Sequence, residues 1–258
     1  MKIVVLMKEV PDTYGDRMLD LETGLADRGA GDRVLDEITE RALEAALAYA
    51  DAAGDAEVIV MSMGPEEASA AIRKGLAMGA ARAVQIVDED LVGADLTLTA
   101  EVLAAALTRE GYDLVLAGNV STDGSGGMLP AMVAELLGVP QVTGLSDITI
   151  TADSVSGTRR SDAATLQVTA PLPAVASVTE ALPDARFPNF KGIMAAKKKP
   201  FDTVSLADLG VIALSPEAPR AIMTAVSAKP PRAAGVKVVD EGDAAQQLAD
   251  FLVSKKLV

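Results

Sequence analysis

The sequence predicts an α/β fold with a doubly wound, mostly parallel sheet, antiparallel additions and an extended C-terminal arm. Two patterns predict this class: short β-branched runs alternate with helical patterns through the first half, and beyond Gly138 the apolar residues recur with a period of two. In addition, 258 residues of 50% hydrophobic composition can bury a sizeable core.

The first half reads as a series of strands joined by helical crossovers, which makes the strands parallel. Apolar residues recur at helical spacing on one face of each predicted helix, so each helix should pack by that face. The predicted elements, in chain order, are strand Ile3–Met7, helix Val34–Tyr49, strand Val58–Met63, helix Glu66–Met78, strand Ala83–Val87, helix Leu96–Arg109, strand Leu114–Gly118 and helix Leu129–Leu137.

The second half reads as antiparallel strands that finish or flank the sheet, within 145–150, 155, 166–168 and 175–178. Proline, glycine and alanine then replace the periodic pattern in 183–200 and 214–235, which predicts arms that order on contact. A short helix is expected over 244–252.

Composition narrows the possible functions. The sequence has no cysteine and no histidine, which excludes disulfides, thiolate nucleophiles, most zinc sites and the usual near-neutral general base, so we expect no metal site and a cofactor that carries any chemistry. A net charge of −14 would repel nucleic acid. The apolar runs are too short to cross a bilayer and the chain opens on a strand-like run, so we expect a cytoplasmic protein with no membrane insertion.

A glycine-rich loop follows the buried strand Leu114–Gly118 and precedes a helix. Glycines there permit close approach of a ligand, and amides at a helix amino end favour a phosphate. The spacing matches neither a G-x-G-x-x-G turn nor a Walker A loop, so a P-loop NTPase is disfavoured. By itself the cluster fits a plain tight corner equally well.

Two other loops, within 8–13 and 61–65, should share this edge of the sheet, because ligands collect at the carboxyl ends of parallel strands. Each is also compatible with an ordinary turn. Further on, 186–194 contains two of only four phenylalanines, which suggests an anchor for a partner, although both rings could pack on the chain's own core. The adjoining lysines, 197–199, form either an anion-binding patch or a solvated charge run.

The segments Pro173–Glu180 and Arg186–Lys199 resemble the hallmark region of electron-transfer flavoprotein beta subunits. Supporting stretches are Lys8-Glu-Val-Pro-Asp12, Gly64-Pro65 with 72–80, and Gly138-Val-Pro-Gln141, so the resemblance covers nearly the whole chain. It implies an adenine nucleotide alpha hydrolase-like fold and a heterodimer in which an alpha subunit holds FAD and this chain buries AMP.

The resemblance also implies roles for individual residues. Residues 1–212 would form the nucleotide-binding domain, and 213–258 an arm packing on the alpha subunit. The residues expected at the nucleotide and flavin are Val10, Asp12, Thr13, Met63, Gly118, Asp123, Gly124, Ser125, Gly126, Gly127 and Met128. The recognition loop, 183–200, would present Arg186, Phe187, Phe190, Ile193, Met194 and Lys197 to acyl-CoA and related dehydrogenases.

In this interpretation the chain is part of an electron carrier, which delivers electrons to a quinone oxidoreductase. Many family members read Asp-Gly-Asp-Thr-Ala-Gln-Val-Gly in the loop that wraps the phosphate, whereas this chain has Asp123-Gly-Ser-Gly-Gly-Met128 and lacks the threonine and glutamine side chains. One alternative is an NADH-oxidising, electron-bifurcating subunit with a second FAD. Another, a homodimeric adenine-nucleotide stress protein, would have no evident use for 186–199.

Overall fold

A computed structural model describes residues 1–15, 18–215, 218, 220–232 and 234–258. The chain forms two compact units, Met1–Ala225 and Val226–Val258. The predicted division at residue 212 concerns packing on another chain and stays a prediction.

The first unit is built on a mixed sheet of ten strands within the described residues, in the order β10-β9-β7-β11-β6-β1-β4-β5-β12 with β8 paired to β9. The pairs among β7, β11, β6, β1, β4, β5 and β12 are parallel, while β9 is antiparallel to its neighbours. The two remaining strands, β2 and β3, form a separate antiparallel pair. The strands are β1 (Lys2–Leu6), β2 (Glu9–Pro11), β3 (Arg33–Leu35), β4 (Glu57–Met63), β5 (Arg82–Ile86), β6 (Leu114–Gly118), β7 (Gln141–Leu145), β8 (Thr149–Ile150), β9 (Ser154–Arg160), β10 (Thr165–Pro171), β11 (Ala174–Val178) and β12 (Phe201–Val204).

Helices cover both faces of this sheet, as the doubly wound prediction requires. Alternate residues of the central strands point to opposite faces: Ile3 and Val5 meet α1 and α2, whereas Val4 and Leu6 meet α3 and α4. The helices are α1 (Glu37–Ala53), α2 (Ser69–Met78), α3 (Leu96–Glu110), α4 (Leu129–Leu137), α5 (Phe190–Ala196), α6 (Leu206–Leu209) and α7 (Ala244–Ser254), with 3-10 turns at Glu66–Ala68 and Glu89–Leu91.

The predicted antiparallel arrangement of 175–178 was wrong. These residues lie in β11, which is parallel to both β6 and β7 and sits between them near the middle of the sheet. The period-two pattern misled because Ser177 is buried, and its hydroxyl accepts a hydrogen bond from the Gly144 amide at 3.0 Å. A buried polar residue therefore imitates the exposed positions of a half-buried strand.

The first helix also begins later than predicted. Residues 33–35 form β3, in which Val34 pairs with Val10, and α1 starts only after Asp36, whose side chain accepts from the Ile38 amide. Within the second unit, α7 confirms the helix expected over 244–252, and Leu248 and Phe251 on it are exposed.

Candidate functional site

The direction of chain winding reverses between β1 and β6. From β1 the chain proceeds to β4 and β5 on one side, then returns through α3 to β6 on the other side of β1. The helices that follow β1 and β6 therefore lie on opposite faces of the sheet. The loops that lead to these helices separate, and they leave a crevice at the carboxyl ends of the two strands. Open α/β sheets bind ligands at such a point.

Asp123 joins the loops that follow these two strands. Its Oδ1 lies 2.8 Å from Lys8 Nζ and accepts from the Gly124 amide at 2.6 Å, while Oδ2 lies 3.4 Å from Nη2 of Arg28. Burial raises the pKa of Asp123, but hydrogen bonds from Lys8 and Ser121 outweigh it and lower the pKa to about 2. The carboxylate is thus ionised and its charge is compensated by two cations.

Asp36 attaches the same loop to the amino end of α1. This side chain is fully buried; its Oδ1 accepts from the Ile38 amide at 3.0 Å, and its Oδ2 accepts from the Thr122 amide at 2.8 Å and the Thr122 hydroxyl at 3.1 Å. One carboxylate therefore caps a helix and fixes the glycine-rich loop. Sequence reasoning missed Asp36, because the predicted helix Val34–Tyr49 contains it, whereas a capping aspartate is recognised directly before a helical pattern.

The loop from Asn119 to Met128, here called the phosphate loop, has the geometry of an anion site. Ser125 (φ 50°) and Gly127 (φ 66°) both adopt left-handed backbone, and no side-chain hydrogen bond caps the amino end of α4 as the structure describes it. Among the described residues, the buried side-chain polar atom with no hydrogen-bond partner is Asn119 Oδ1. Uncapped amides and an orphaned acceptor are both groups that a bound ligand could satisfy.

A cavity of about 510 Å³ adjoins the phosphate loop. Among the described residues, its charged lining consists of Lys8, Arg28 and the four aspartates Asp12, Asp27, Asp32 and Asp123, so acidic groups outnumber basic ones, and Tyr14 also lines it. This volume lies within the range of small-molecule pockets. The Asp12 carboxylate accepts from the Tyr14 amide at 3.0 Å, which shapes an exposed turn at the mouth.

The other predicted ligand residues lie at the same edge but differ in setting. Val10 is buried in β2, Thr13 is exposed in the turn after it, and Met63 packs into the apolar layer beneath α3 and α4. At Gly118, a Cβ would lie 3.1 Å from Ile38 Cγ2, so this glycine lets α1 approach the end of β6. In the phosphate loop, a Cβ on Gly126 would lie 3.4 Å from Leu96, and Met128 is largely exposed.

The predicted recognition loop lies between β11 and β12 and contains α5. Phe187 and Phe190 are 90% and 79% exposed, so these rings do not pack on the chain's own core. Ile193 and Met194 are about half-exposed beside them. Together these four side chains form an exposed apolar patch, which marks a binding surface.

The polar residues of this segment are bonded mainly within the chain. Arg186 pairs with Glu44 and Asp51, and Lys199 Nζ donates to two carbonyls at the end of α2, those of Leu76 at 2.9 Å and Ala80 at 2.6 Å. Lys197 remains exposed. The lysine run 197–199 was interpreted as an anion-binding patch or a solvated charge run. Neither interpretation holds for Lys199, which caps the carboxyl end of α2.

Comparison with known proteins agrees with this geometry. Residues 24–209 match the family model described as "Electron transfer flavoprotein domain". The chain belongs to the electron transfer flavoprotein family. It is 44% identical to the electron transfer flavoprotein subunit beta of Mycobacterium leprae, over 99% of each chain, and 30% identical to that of Megasphaera elsdenii over the full length of both. It is also 34% identical to subunit CarD of the caffeyl-CoA reductase-Etf complex of Acetobacterium woodii, over 99% of this chain and 97% of the relative.

In this member of the flavoprotein family, the groups of the phosphate loop are compatible with a nucleoside monophosphate. The loop offers the uncapped amides at the amino end of α4 as donors, and the Ser125 hydroxyl, which donates to the Ser121 carbonyl at 3.3 Å, can turn to a ligand. The one carboxylate within the loop, Asp123, is neutralised by Lys8 and Arg28. Asn119 Oδ1 adds an acceptor that a hydroxyl or an exocyclic amine could satisfy. No helix among the described residues has the length and apolar character needed to cross a membrane.

Proposed function

We propose that this chain is the beta subunit of a heterodimeric electron carrier whose alpha subunit holds FAD. The heterodimer accepts electrons from acyl-CoA and related dehydrogenases and delivers them to a quinone oxidoreductase, in the cytoplasm. The observation that carries the proposal is the solvent exposure of Phe187 and Phe190, because a chain with four phenylalanines presents two of them in one loop, three positions apart and outside its core.

In this proposal the chain positions groups and performs no catalytic step itself. Bound FAD supplies the redox chemistry, which suits a chain that has no histidine and no cysteine. Asp12 and Tyr14 hold the turn at the cavity mouth, where the flavin of the alpha subunit would approach. Arg28 and Lys8 offset the charge of Asp123 and so reduce the repulsion that this acidic rim would exert on an anionic flavin.

AMP is the proposed resident of the phosphate loop, in a structural role. A single phosphate matches the donors at this loop, which are the uncapped amides of α4 and the Ser125 hydroxyl once it leaves the Ser121 carbonyl. The relative from Acetobacterium woodii is named as part of a caffeyl-CoA reductase-Etf complex, so in that protein the partner acts on a CoA ester. This supports a CoA-ester dehydrogenase as the partner here.

The test is a cofactor count followed by an electron-transfer assay. The chain is co-expressed with its alpha subunit, the complex is purified and denatured, and the released FAD and adenine nucleotides are quantified by chromatography. We expect one FAD and one AMP per heterodimer, and reduction of the flavin by an acyl-CoA dehydrogenase that has been charged with octanoyl-CoA.

Other outcomes assign the chain differently. Two FAD without AMP, together with reduction by NADH, would place it among bifurcating flavoproteins. A homodimer that carries no flavin would contradict both the electron-carrier and the bifurcating assignment. A Phe190→Ala variant with full cofactor content and unchanged electron transfer would show that the docking surface lies elsewhere.

A further inference from the structure

The recognition loop is attached to its own chain on both sides of the exposed aromatic rings. Before them, Arg41 of α1 donates to the Leu182 carbonyl and lies 2.5 Å from the Asp184 carboxylate. After them, α5 packs so closely on α2 that a Cβ at Gly192 would lie 2.3 Å from the Ala77 carbonyl oxygen. This contradicts the prediction of an arm that orders only on contact.

Arg186, directly before Phe187, is the centre of this attachment. Its Nε and Nη2 donate to the two carboxylate oxygens of Glu44 at 2.7 and 2.9 Å, and Nη1 donates to Asp51 at 2.9 Å. Its backbone amide donates to Glu44 as well, at 3.0 Å. The hydrogen bonds that Arg186 donates to Glu44 and, to a lesser extent, to Asp51 raise the pKa of Arg186, consistent with a tight bidentate pair with Glu44.

Glu44 and Asp51 belong to α1, about two helical turns apart, and α1 packs on the sheet through its other face. The anchor of the loop is thus a rigid element of the core. Glu44 is largely covered, with a side chain 22% exposed, so it has little surface to offer a partner. Phe187, by contrast, projects almost wholly into solvent.

We propose that Arg186 is a positioning residue, which the Glu44 carboxylate holds so that the recognition loop presents Phe187 and Phe190 in a docking-ready geometry. Every guanidinium nitrogen of Arg186 already donates to a carboxylate of α1, so these hydrogen bonds are made within the chain and stabilise the loop. A loop that is ordered in advance loses less conformational entropy when a dehydrogenase docks. This inference rests on the function proposed above.

The experiment uses the FAD-loaded heterodimer and four variants of this chain: Glu44→Gln, Arg186→Gln, the double variant and Asp51→Asn. Arg160→Gln, an exposed arginine on β9, is the matched control for loss of one positive charge. Amide hydrogen exchange of 187–196 reports the order of the loop without any partner. The KM and kcat of an acyl-CoA dehydrogenase, with the heterodimer as electron acceptor, report docking.

We expect Glu44→Gln and Arg186→Gln each to accelerate exchange in 187–196 and to raise the KM about tenfold, roughly what loss of one well-ordered anchor costs. The kcat, the FAD content and the flavin spectrum should stay as in the wild type. The double variant should resemble the single ones, because both remove the same interaction. Asp51→Asn should show a smaller effect in the same direction, and it keeps the test available if the Glu44 variants fold poorly.

The proposal is overturned if Arg186→Gln raises the KM while Glu44→Gln changes neither the KM nor the exchange, since Arg186 would then contact the dehydrogenase directly. A wild-type heterodimer that no acyl-CoA dehydrogenase reduces would defeat the proposed function instead. In that case hydrogen exchange alone decides, and an unaltered exchange rate in 187–196 of both single variants would reject the positioning role.

Discussion

Replacing Asp36 with alanine should both destabilise the subunit and release the AMP proposed for the phosphate loop. The substitution removes the cap of α1, worth about 1 kcal/mol. It also leaves the half-buried Thr122 amide, which now donates to Asp36 Oδ2, without its acceptor, at a cost of about 1–3 kcal/mol. The Thr122 hydroxyl can rotate to another acceptor, so we expect a total loss of about 2–4 kcal/mol.

The assay is thermal unfolding of the heterodimer together with its AMP content. A loss of that size in a domain this large should lower the unfolding midpoint by about 5–15 °C. The AMP content should fall in parallel, because Thr122 lies within the phosphate loop and loses its attachment to α1. Asp36→Asn should be milder, since one acceptor oxygen remains.

Ser205→Ala is the matched control, because Ser205 also caps a helix but lies beyond β12, at the edge of the sheet. It should lower the midpoint by a few degrees, as expected for loss of one cap, and leave the AMP content intact. The reasoning is refuted if Asp36→Ala retains full AMP, or if Ser205→Ala releases as much nucleotide as Asp36→Ala does.

Three further outcomes can be checked by the same unfolding assay. The pKa of Asp123 is lowered from 3.8 to about 2, so its ion pair with Lys8 stabilises the fold above pH 4 and that contribution is lost as the pH falls from 4 towards 2. Asp123→Asn should lower the free energy of unfolding by about 1 kcal/mol at pH 7, after allowance for the partial exposure of Lys8. If the variant remains less stable than the wild type by the same amount at pH 2–3, this reasoning is contradicted. Gly157→Ala places a Cβ 2.1 Å from the Asp147 carbonyl oxygen and should cost about 1–3 kcal/mol through backbone displacement, whereas an unchanged midpoint would mean that β9 shifts freely. Lys199→Met removes the cap at the carboxyl end of α2 and should cost about 1 kcal/mol. A gain in stability would show that desolvating the half-buried ammonium costs more than its two hydrogen bonds contribute.

The sequence predicted those parts of the fold that depend on local pattern. Strand Leu114–Gly118 and helix Leu129–Leu137 were predicted with the bounds that the structure has, because each is a strongly apolar or periodic run bordered by glycine. The start of α1 was missed because Val34 and Leu35 continue the helical spacing by chance while pairing with β2. The central place of β11 was missed because strand order is not a local property.

The residues of the candidate site were likewise predicted only where a local pattern marks them. The phosphate loop was found because it is rich in glycine, and the exposed phenylalanines were found because this residue type is scarce in the chain. Arg28 was not found, because its approach to Asp123 joins positions 95 residues apart, and nothing near Arg28 in the sequence indicates it. Glu44 was not found either, because helical spacing only places a carboxylate away from the apolar face of a helix and does not show which arginine it pairs with.

The insertion of β11 between β6 and β7 affects how the chain can acquire its structure during synthesis. Every parallel strand from β1 to β7 leaves the ribosome before β11 does, yet β6 and β7 cannot join one sheet until β11 fills the gap between them. Until then the edge of β6 is open and can pair with another chain. The nascent protein is therefore most exposed to aggregation just before residue 178 emerges, and a chain that stops within the β9–β10 hairpin should be a substrate for chaperones or proteases.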